Sequence, residues 1–417
     1  MNSVQKKVSS SYRRSFFILL DKQKQYVKTM ISICLMHLFK LLPVKKNKIF
    51  FTSYYGNQYG CNPKYISEYI VKNYPEQTFD IVWAFNNLND NTHITGIRRV
   101  RTQSIKYFYE LCTAKVFITN YRTTEQYVKR KNQYYIQSWH SSLRLKKIEK
   151  DAEESLPTDY VEMAQKDSQK CDLLMSGCQF STKIFKRSFW YKGEIFECGT
   201  PRNDIFFQES NTLKKDVCLQ LNIPPQSKIV LYAPTFRKDE TLDVYNLDYR
   251  IVLDTLMSRF GGEWKFLVKL HPHLISKSDK LVYGENVIDV TSFNDVQELL
   301  AVSDILISDY SSLMFDFGIT KRPCFLYVPD LEGYMKNDRN LYFDIDCLPF
   351  IIAATNNELV KRINDFEERS YESELSEFLG EIGSYEDGNA SRNLVERIYE
   401  ICFQKKVRRK IYESKAV

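Results

Sequence analysis

The stretch 229–273, IVLYAPTFRKDETLDVYNLDYRIVLDTLMSRFGGEWKFLVKLHPH, decides the fold of this chain. It opens on an apolar run, Ile229–Ala233, that breaks at Pro234. Leu247–Phe260 then carries apolar residues at helical spacing. After Gly261-Gly262 comes a second apolar run, Phe266–Leu270, which stops at His271-Pro272-His273. Strand, helix and strand in that order form a crossover unit, and crossover units build parallel sheets with helices on their faces.

The same alternation extends in both directions. Upstream lie the strand-like runs Ile49–Tyr54, Phe79–Phe85, Lys115–Thr119, Tyr134–Trp139, Leu173–Ser176 and Glu194–Cys198, with helical stretches such as Pro63–Tyr74 and Ser104–Cys112 between them. Downstream follow Val287–Val290, Ile305–Ser308 and Pro323–Val328, with a helix expected over Asn294–Ala301. So many runs exceed one comfortable sheet. The texture changes over 206–226, which ends in Pro224-Pro225, a linker signal. The expected fold is α/β, with two doubly wound, Rossmann-like domains over 49–205 and 206–404 and a cleft between them. A basic segment, 1–48, precedes them and a basic tail, 405–417, follows.

Composition agrees with a folded protein. Among 417 residues are 28 Tyr and 27 Phe, ample apolar surface to bury, while 14 Gly and 12 Pro exclude a collagenous or low-complexity chain. The net charge of +7 is unevenly spread: residues 1–48 carry +10 and residues 405–417 carry +5, which leaves −8 for the rest. An acidic body without a reader motif argues against a nucleic-acid partner. The ten cysteines show no CxxC, and Cys112, Cys198 and Cys324 sit in apolar runs, so they are expected to be reduced core thiols. No histidine shares a zinc-ligand spacing with them.

Met30–Leu42 (MISICLMHLFKLL) is shorter than the ~20 residues that span a bilayer, and lacks the features of a signal peptide. With lysines on both sides, it fits a helix lying in an anionic membrane surface; docking on the protein's own core is the other reading.

Open parallel sheets bind ligands beyond the carboxyl ends of their strands. There the sequence places His140-Ser141-Ser142, Gly199-Thr200-Pro201-Arg202-Asn203-Asp204, Pro234-Thr235-Phe236-Arg237, His271-Pro272-His273 and Asp309-Tyr310-Ser311-Ser312. Singly, each has an ordinary structural reading: a satisfied imidazole, a surface ion pair, a helix N-cap. Jointly, five polar clusters on five strand ends describe a site. No GxxxxGK[ST] and no GxGxxG after the first strand is present, and no DxD pair sits in the cluster. Histidine, arginine, hydroxyls and a helix N-terminus suit a diphosphate bound without an obligatory metal or other cofactor.

In order, Gln137-Ser138-Trp139-His140, Leu145-Lys146-Lys147-Ile148, Gly199–Asp204, Tyr232–Arg237, Lys269-Leu270-His271-Pro272 and Ser308-Asp309-Tyr310-Ser311-Ser312 resemble the CDP-glycerol glycerophosphotransferase family, the teichoic acid primases and polymerases and related capsule transferases. The resemblance covers about residues 49–400. It implies a GT-B-like fold and peripheral attachment to the cytoplasmic face of the membrane. The implied reaction transfers a polyol phosphate from CDP-glycerol or another CDP-polyol to a lipid-linked saccharide acceptor, with release of CMP. By resemblance His140 is the general base on the acceptor hydroxyl, and His271 the second functional histidine. The implied donor-side residues are Ser141, Ser142, Arg202, Pro234, Thr235, Arg237, Lys269, Leu270, Ser308, Asp309, Ser311, Ser312 and Asp316. The family has Gly where Ser141 stands, which leaves acceptor and polyol open. The short N-terminal region looks more like a primase or capsule transferase than a long-chain polymerase. A GT-B glycosyltransferase using a sugar nucleotide, and a non-catalytic membrane-surface scaffold, remain the alternatives, and the sequence is silent on oligomeric state.

Overall fold

The computed structural model describes residues 23–403, except 25, 90–93, 210, 238–244, 246, 271–283, 338 and 339. Thirteen strands are found among the described residues, in two all-parallel sheets. The first contains β1 (Lys45–Thr52), β2 (Asp80–Phe85), β3 (Arg98–Arg101), β4 (Ala114–Thr119), β5 (Tyr134–Gln137), β6 (Leu173–Ser176) and β7 (Glu194–Glu197), in the order β3-β2-β1-β4-β5-β6-β7. The second contains β8 (Lys228–Tyr232), β9 (Trp264–Val268), β10 (Val287–Asp289), β11 (Ile305–Ser308), β12 (Cys324–Tyr327) and β13 (Ile351–Ala353), in the order β10-β9-β8-β11-β12-β13. Both orders are doubly wound, so each sheet has a switch point where the winding reverses: β1/β4 in the first and β8/β11 in the second. Central strands are buried on both faces, as the continuous apolar runs require.

The crossover read from 229–273 forms as β8, the helix Tyr249–Phe260 and β9, with the Asp248 carboxylate capping the helix at Ile251 N (3.1 Å). Two strands were not among the expected runs. β3 is RRVR, an edge strand with only Val100 buried, and β13 has three residues. β1 begins at Lys45, so the division expected at 48/49 falls inside a strand. The reason is Lys48: its ammonium is buried against the Glu110 carboxylate and the Thr113 hydroxyl (2.8 Å), so a charge fits inside the sheet. The expected linker is also structured, as the helix Asn211–Gln220 buries Val217 and Cys218.

The second unit is not continuous in space. The last described helix, Ala390–Phe403, returns to the first sheet, where Leu394, Val395 and Ile398 pack with Ile49, Phe51 and Val116. Cys112, Cys198 and Cys324 are buried in the core, as their apolar surroundings imply.

Residues 26–39 are helical. Met36 is fully buried, and Leu35 and Phe39 pack beside it on the first sheet's core. Tyr26, Met30, Ile31, Leu38 and Leu41 are exposed. The core-docking reading therefore holds for one face of this helix, while the opposite face stays exposed. No helix among the described residues is long and apolar enough to cross a membrane.

Candidate functional site

The chain leaves β5 through a sharp turn. Trp139 sits in the left-handed region at φ 51, which non-glycine residues occupy only when their surroundings hold them there. Those surroundings are explicit. Trp139 N donates to Gln137 Oε1 at 3.0 Å, and Asn62 Nδ2 donates to the carbonyls of Ser138 (3.0 Å) and Trp139 (3.2 Å). The Trp139 indole packs edge-on against Phe189. Beneath it Arg122 is buried, with Glu149 at 2.8 Å, Asp167 at 3.1 Å and the Ser168 hydroxyl at 2.8 Å. The next residue, His140, is exposed and stacks on Trp139 with ring centroids 4.4 Å apart. Its Nδ1 lies 3.3 Å from the Asn120 carbonyl. A carbonyl only accepts, so this bond puts the ring proton on Nδ1 and leaves the lone pair on Nε2.

Ser141 is not among the residues with positive φ, so a glycine there is not needed for backbone conformation. Ser142 is buried: its carbonyl accepts from the Ser181 hydroxyl (2.5 Å), and its own hydroxyl bonds Glu386. Glu386 also accepts from Thr200 N (3.0 Å) and Asn203 Nδ2 (3.3 Å). Burial pushes its carboxyl up to about 7 against these hydrogen bonds. The three groups converge on Gly177, where a Cβ would collide with the Ser142 and Thr200 hydroxyls.

Arg202 and Asp316 meet directly, and both are buried. Asn203 Nδ2 (3.3 Å) and Gln297 Nε2 (3.3 Å) also donate to Asp316, and Arg202 N donates to Asn62 Oδ1 (3.1 Å). Burial raises the Asp316 pKa despite the guanidinium beside it. Burial works against the Arg202 charge as well, but Asp316 more than offsets it, so the guanidinium stays protonated. This pair ties the first unit to the second. Lys64 does the same with Asp295 (2.6 Å) and Glu298 (2.5 Å).

At the β8/β11 switch point, Asp309 accepts from Thr235 N (2.8 Å) and its hydroxyl (2.6 Å), and pairs with Arg237 (2.9 Å). Arg237 also binds Asp330 (2.7 Å) and lies over the rings of Tyr310 and Tyr334, which stack at 3.6 Å. The Ser308 hydroxyl donates to the Ala233 carbonyl (2.8 Å), beside buried Pro234. Lys269 Nζ donates to the carbonyls of Thr291 (2.6 Å) and Phe293 (2.7 Å), and burial lowers its pKa to about 8. Leu270 N donates to the Thr291 hydroxyl at 3.1 Å. Ser311 Oγ accepts from Leu313 N (3.3 Å) and Ser312 Oγ from Leu145 N (3.4 Å), at the start of the six-residue helix Leu313–Gly318. His271 lies outside the described residues.

The structure thus joins Thr235, Arg237 and Asp309 into one cluster and Arg202 with Asp316 into another. The loop from His140 reaches the second unit through Ser312, the Lys147 N–Asn340 O bond (2.8 Å) and the Tyr342 N–Leu145 O bond (2.8 Å). Reading strand ends did not find Asn62, Asn120, Arg122, Gln297 or Glu386, which hold these groups from other elements. Nor did it find Arg144, which is buried over Phe185 (4.5 Å) and donates to Ser141 O at 3.3 Å. Its Nε and Nη1 have no hydrogen-bond partner among the described residues. No group of three or more His, Cys, Asp or Glu among the described residues is placed to hold a metal ion.

Residues 34–400 match the family described as CDP-glycerol:poly(glycerophosphate) glycerophosphotransferase. A teichoic acid poly(glycerol phosphate) polymerase of Bacillus spizizenii is 32% identical over 372 residues, which cover 86% of this chain and 93% of that protein. A teichoic acid glycerol-phosphate transferase of Staphylococcus aureus is 31% identical over 393 residues, 90% of this chain and 100% of that protein. Longer relatives match in part: the chain covers 51% of a Staphylococcus epidermidis poly(glycerol phosphate) polymerase. The solved structure of the wall teichoic acid polymerase TagF superposes with a TM-score of 0.78 and 32% identity, over 92% of this chain and 97% of that one. Other TagF structures carry substitutions at histidines, two of them soaked with CDPG. The two-sheet architecture is accordingly GT-B-like. A polymerase matched over nearly its whole length also means that a short N-terminal region does not separate primase from polymerase. One family model matches most of the chain, and two of its relatives match over nearly their whole length: the chain belongs to the CDP-glycerol:poly(glycerophosphate) glycerophosphotransferase family.

Proposed function

We propose that this chain transfers glycerol phosphate from CDP-glycerol to a hydroxyl of a lipid-linked saccharide acceptor in teichoic acid synthesis, at the cytoplasmic face of the membrane and without an obligatory cofactor. The observation that carries the reading is His140: an exposed imidazole on a locked turn, with its proton on Nδ1, in a loop bonded to Ser312 across the unit boundary. Nε2 takes the proton of the acceptor hydroxyl as its oxygen attacks the glycerol-bearing phosphorus. The bond from that phosphorus to the bridging oxygen breaks, and CMP leaves with the electron pair. Positioning and electrostatics supply most of the rate in such transfers. The donor lies at the β8/β11 switch point, where Thr235 and Arg237 are fixed by Asp309. His271 is the second histidine of the reaction.

Peripheral attachment is supported by the helix over 26–39. Its outward face combines exposed Tyr26, Met30, Ile31 and Leu38 with exposed Lys24 and Lys28, and Lys45 and Lys46 lie exposed beyond it. Apolar burial with lysines beside it is the design of an interfacial helix on anionic lipid.

The test uses CDP-glycerol labelled at the glycerol-bearing phosphorus, with membranes as acceptor. The label is expected in the lipid fraction and unlabelled CMP in solution. A label retained on the nucleotide would indicate sugar-type transfer and refute the proposal, and no turnover at all would favour a scaffold.

A further inference from the structure

A cavity of about 250 Å³ opens at the carboxyl ends of β1 to β4. Its walls come from the residues that follow those strands: Tyr55 after β1, Asn86 after β2, Gln103 after β3 and Tyr121 after β4. This is the switch point of the first sheet, since β1 has β2 on one side and β4 on the other. Ligands of open parallel sheets bind in such a crevice. The second sheet's switch point holds the Thr235–Asp309 cluster, and the first sheet's has no role in the transfer as described so far.

The lining says what the cavity takes. The Tyr55 and Tyr121 rings lie in contact, tilted by 31° with centroids 3.9 Å apart, and Phe117 and Tyr127 meet at 4.8 Å. The rim is made of amides: Gln103 Nε2 donates to Gln126 Oε1 (2.7 Å), and Asn86 Nδ2 donates to the Tyr55 carbonyl (3.2 Å). No Lys, Arg, His, Asp or Glu is among the lining residues. A nucleoside diphosphate needs cations or a metal to meet its charge, so this lining does not suit the donor. Aromatic faces instead pack against the C–H faces of a sugar ring, while amides bond its hydroxyls at the edge. The volume, below the ~300 Å³ at which pockets for drug-sized ligands begin, fits one ring rather than a long glycan.

The position fits an acceptor. Tyr121 directly follows Asn120, whose carbonyl holds His140. On the opposite side Gln126 Nε2 approaches Thr29 Oγ1 (3.5 Å), on the helix that carries the exposed apolar face. We propose that this cavity binds a neutral sugar ring of the acceptor and so sets which hydroxyl reaches His140. The proposal rests on the transfer reading above.

The experiment is saturation-transfer NMR on the full chain with methyl glycosides of neutral hexoses and N-acetylhexosamines. Thermal protection by CDP-glycerol is measured in parallel. At least one glycoside is expected to receive saturation from the wild type. Tyr121→Ala is expected to weaken that binding about tenfold, as does the loss of one base–aromatic-scale stacking contact of ~1.4 kcal/mol. Gln103→Leu, at the exposed rim, is expected to weaken it severalfold without touching the fold. CDP-glycerol protection should stay the same in both variants. The proposal is overturned if no glycoside binds the wild type, if both variants bind as the wild type does, or if dodecyl phosphate but no glycoside competes at the site. Absence of CDP-glycerol protection in the wild type would instead count against the donor reading, whatever the glycosides do.

Discussion

Glu386 offers the sharpest test of the electrostatics at the unit boundary. It lies between the helices Glu368–Glu381 and Ala390–Phe403, and its carboxylate gathers Thr200 N, Asn203 Nδ2 and the Ser142 hydroxyl. Burial raises its pKa from 4.5 to about 7. Between those values the folded chain holds a proton that the unfolded chain has released, so stability falls as pH rises through that window. The contribution is complete below pH 4.5 and gone above about pH 7. At about 1.4 kcal/mol per pKa unit, the shift corresponds to about 3 kcal/mol. That figure is an upper bound, since Glu386 is only partly shielded from solvent, and solvent screens such terms. Glu386→Gln keeps the shape and an oxygen for Thr200 N while removing the charge. Urea denaturation of wild type and variant at pH 5, 6, 7 and 8 is the assay. The difference between them isolates Glu386 from other carboxylates titrating in the same range. The variant should gain on the wild type by about 2–3 kcal/mol from pH 5 to pH 8. Profiles that stay parallel across that range would refute the reasoning.

His140→Ala should lower turnover by about 10²–10⁴-fold, with the melting temperature unchanged because the ring is exposed; both are read from CMP release and a thermal scan. Arg202→Leu or Asp316→Leu alone should cost about 3–5 kcal/mol in urea unfolding by stranding a buried charge, and the double variant should recover much of it. Arg144→Met should leave stability unchanged or raise it, because it removes a buried cation with unbonded donors, yet lower turnover; a loss of stability above about 2 kcal/mol would make Arg144 a structural residue instead. Leu38→Asp with Leu41→Asp should reduce sedimentation with anionic vesicles and leave CDP-glycerol protection intact.

The parallel sheets were legible because their central strands are buried on both faces and so read as unbroken apolar runs, as in Ile229–Ala233. Strands that escaped notice break that condition. β3 spends three of its four positions on arginine, and one of these, Arg98, pairs with Asp80 and Glu110. β1 starts early because Lys48 finds its counter-charge 62 residues away, in Glu110. Local pattern cannot show such partners. The return of Ala390–Phe403 to the first sheet was hidden for the same reason: amphipathicity reveals a buried face but not what buries it.

The site shows the same division between residue type and partner. Strand ends located His140, Thr235, Arg237 and Asp309 correctly at the two carboxyl edges, since topology alone puts them there. Arg202, Arg237 and Lys269 read as cations waiting for a diphosphate. In the structure each already faces oxygen: Arg202 the Asp316 carboxylate, Arg237 those of Asp309 and Asp330, and Lys269 two carbonyls. A diphosphate entering this cleft therefore has to compete with built-in acceptors or displace them, and near Asp309 it meets like charge. Arg237 is held by two carboxylates, with Lys146 Nζ over the Tyr334 ring beside it (4.9 Å), and Thr235 with its backbone N–H is already engaged by Asp309, so these two alone do not neutralise a donor. Arg144, in the loop that follows His140, has two donors, Nε and Nη1, without a hydrogen-bond partner among the described residues. Cations forming the unit boundary thus serve chiefly to hold its shape, and the charge meeting the donor is to be sought first in the loop after His140, at Lys146 over Tyr334 and at Arg144.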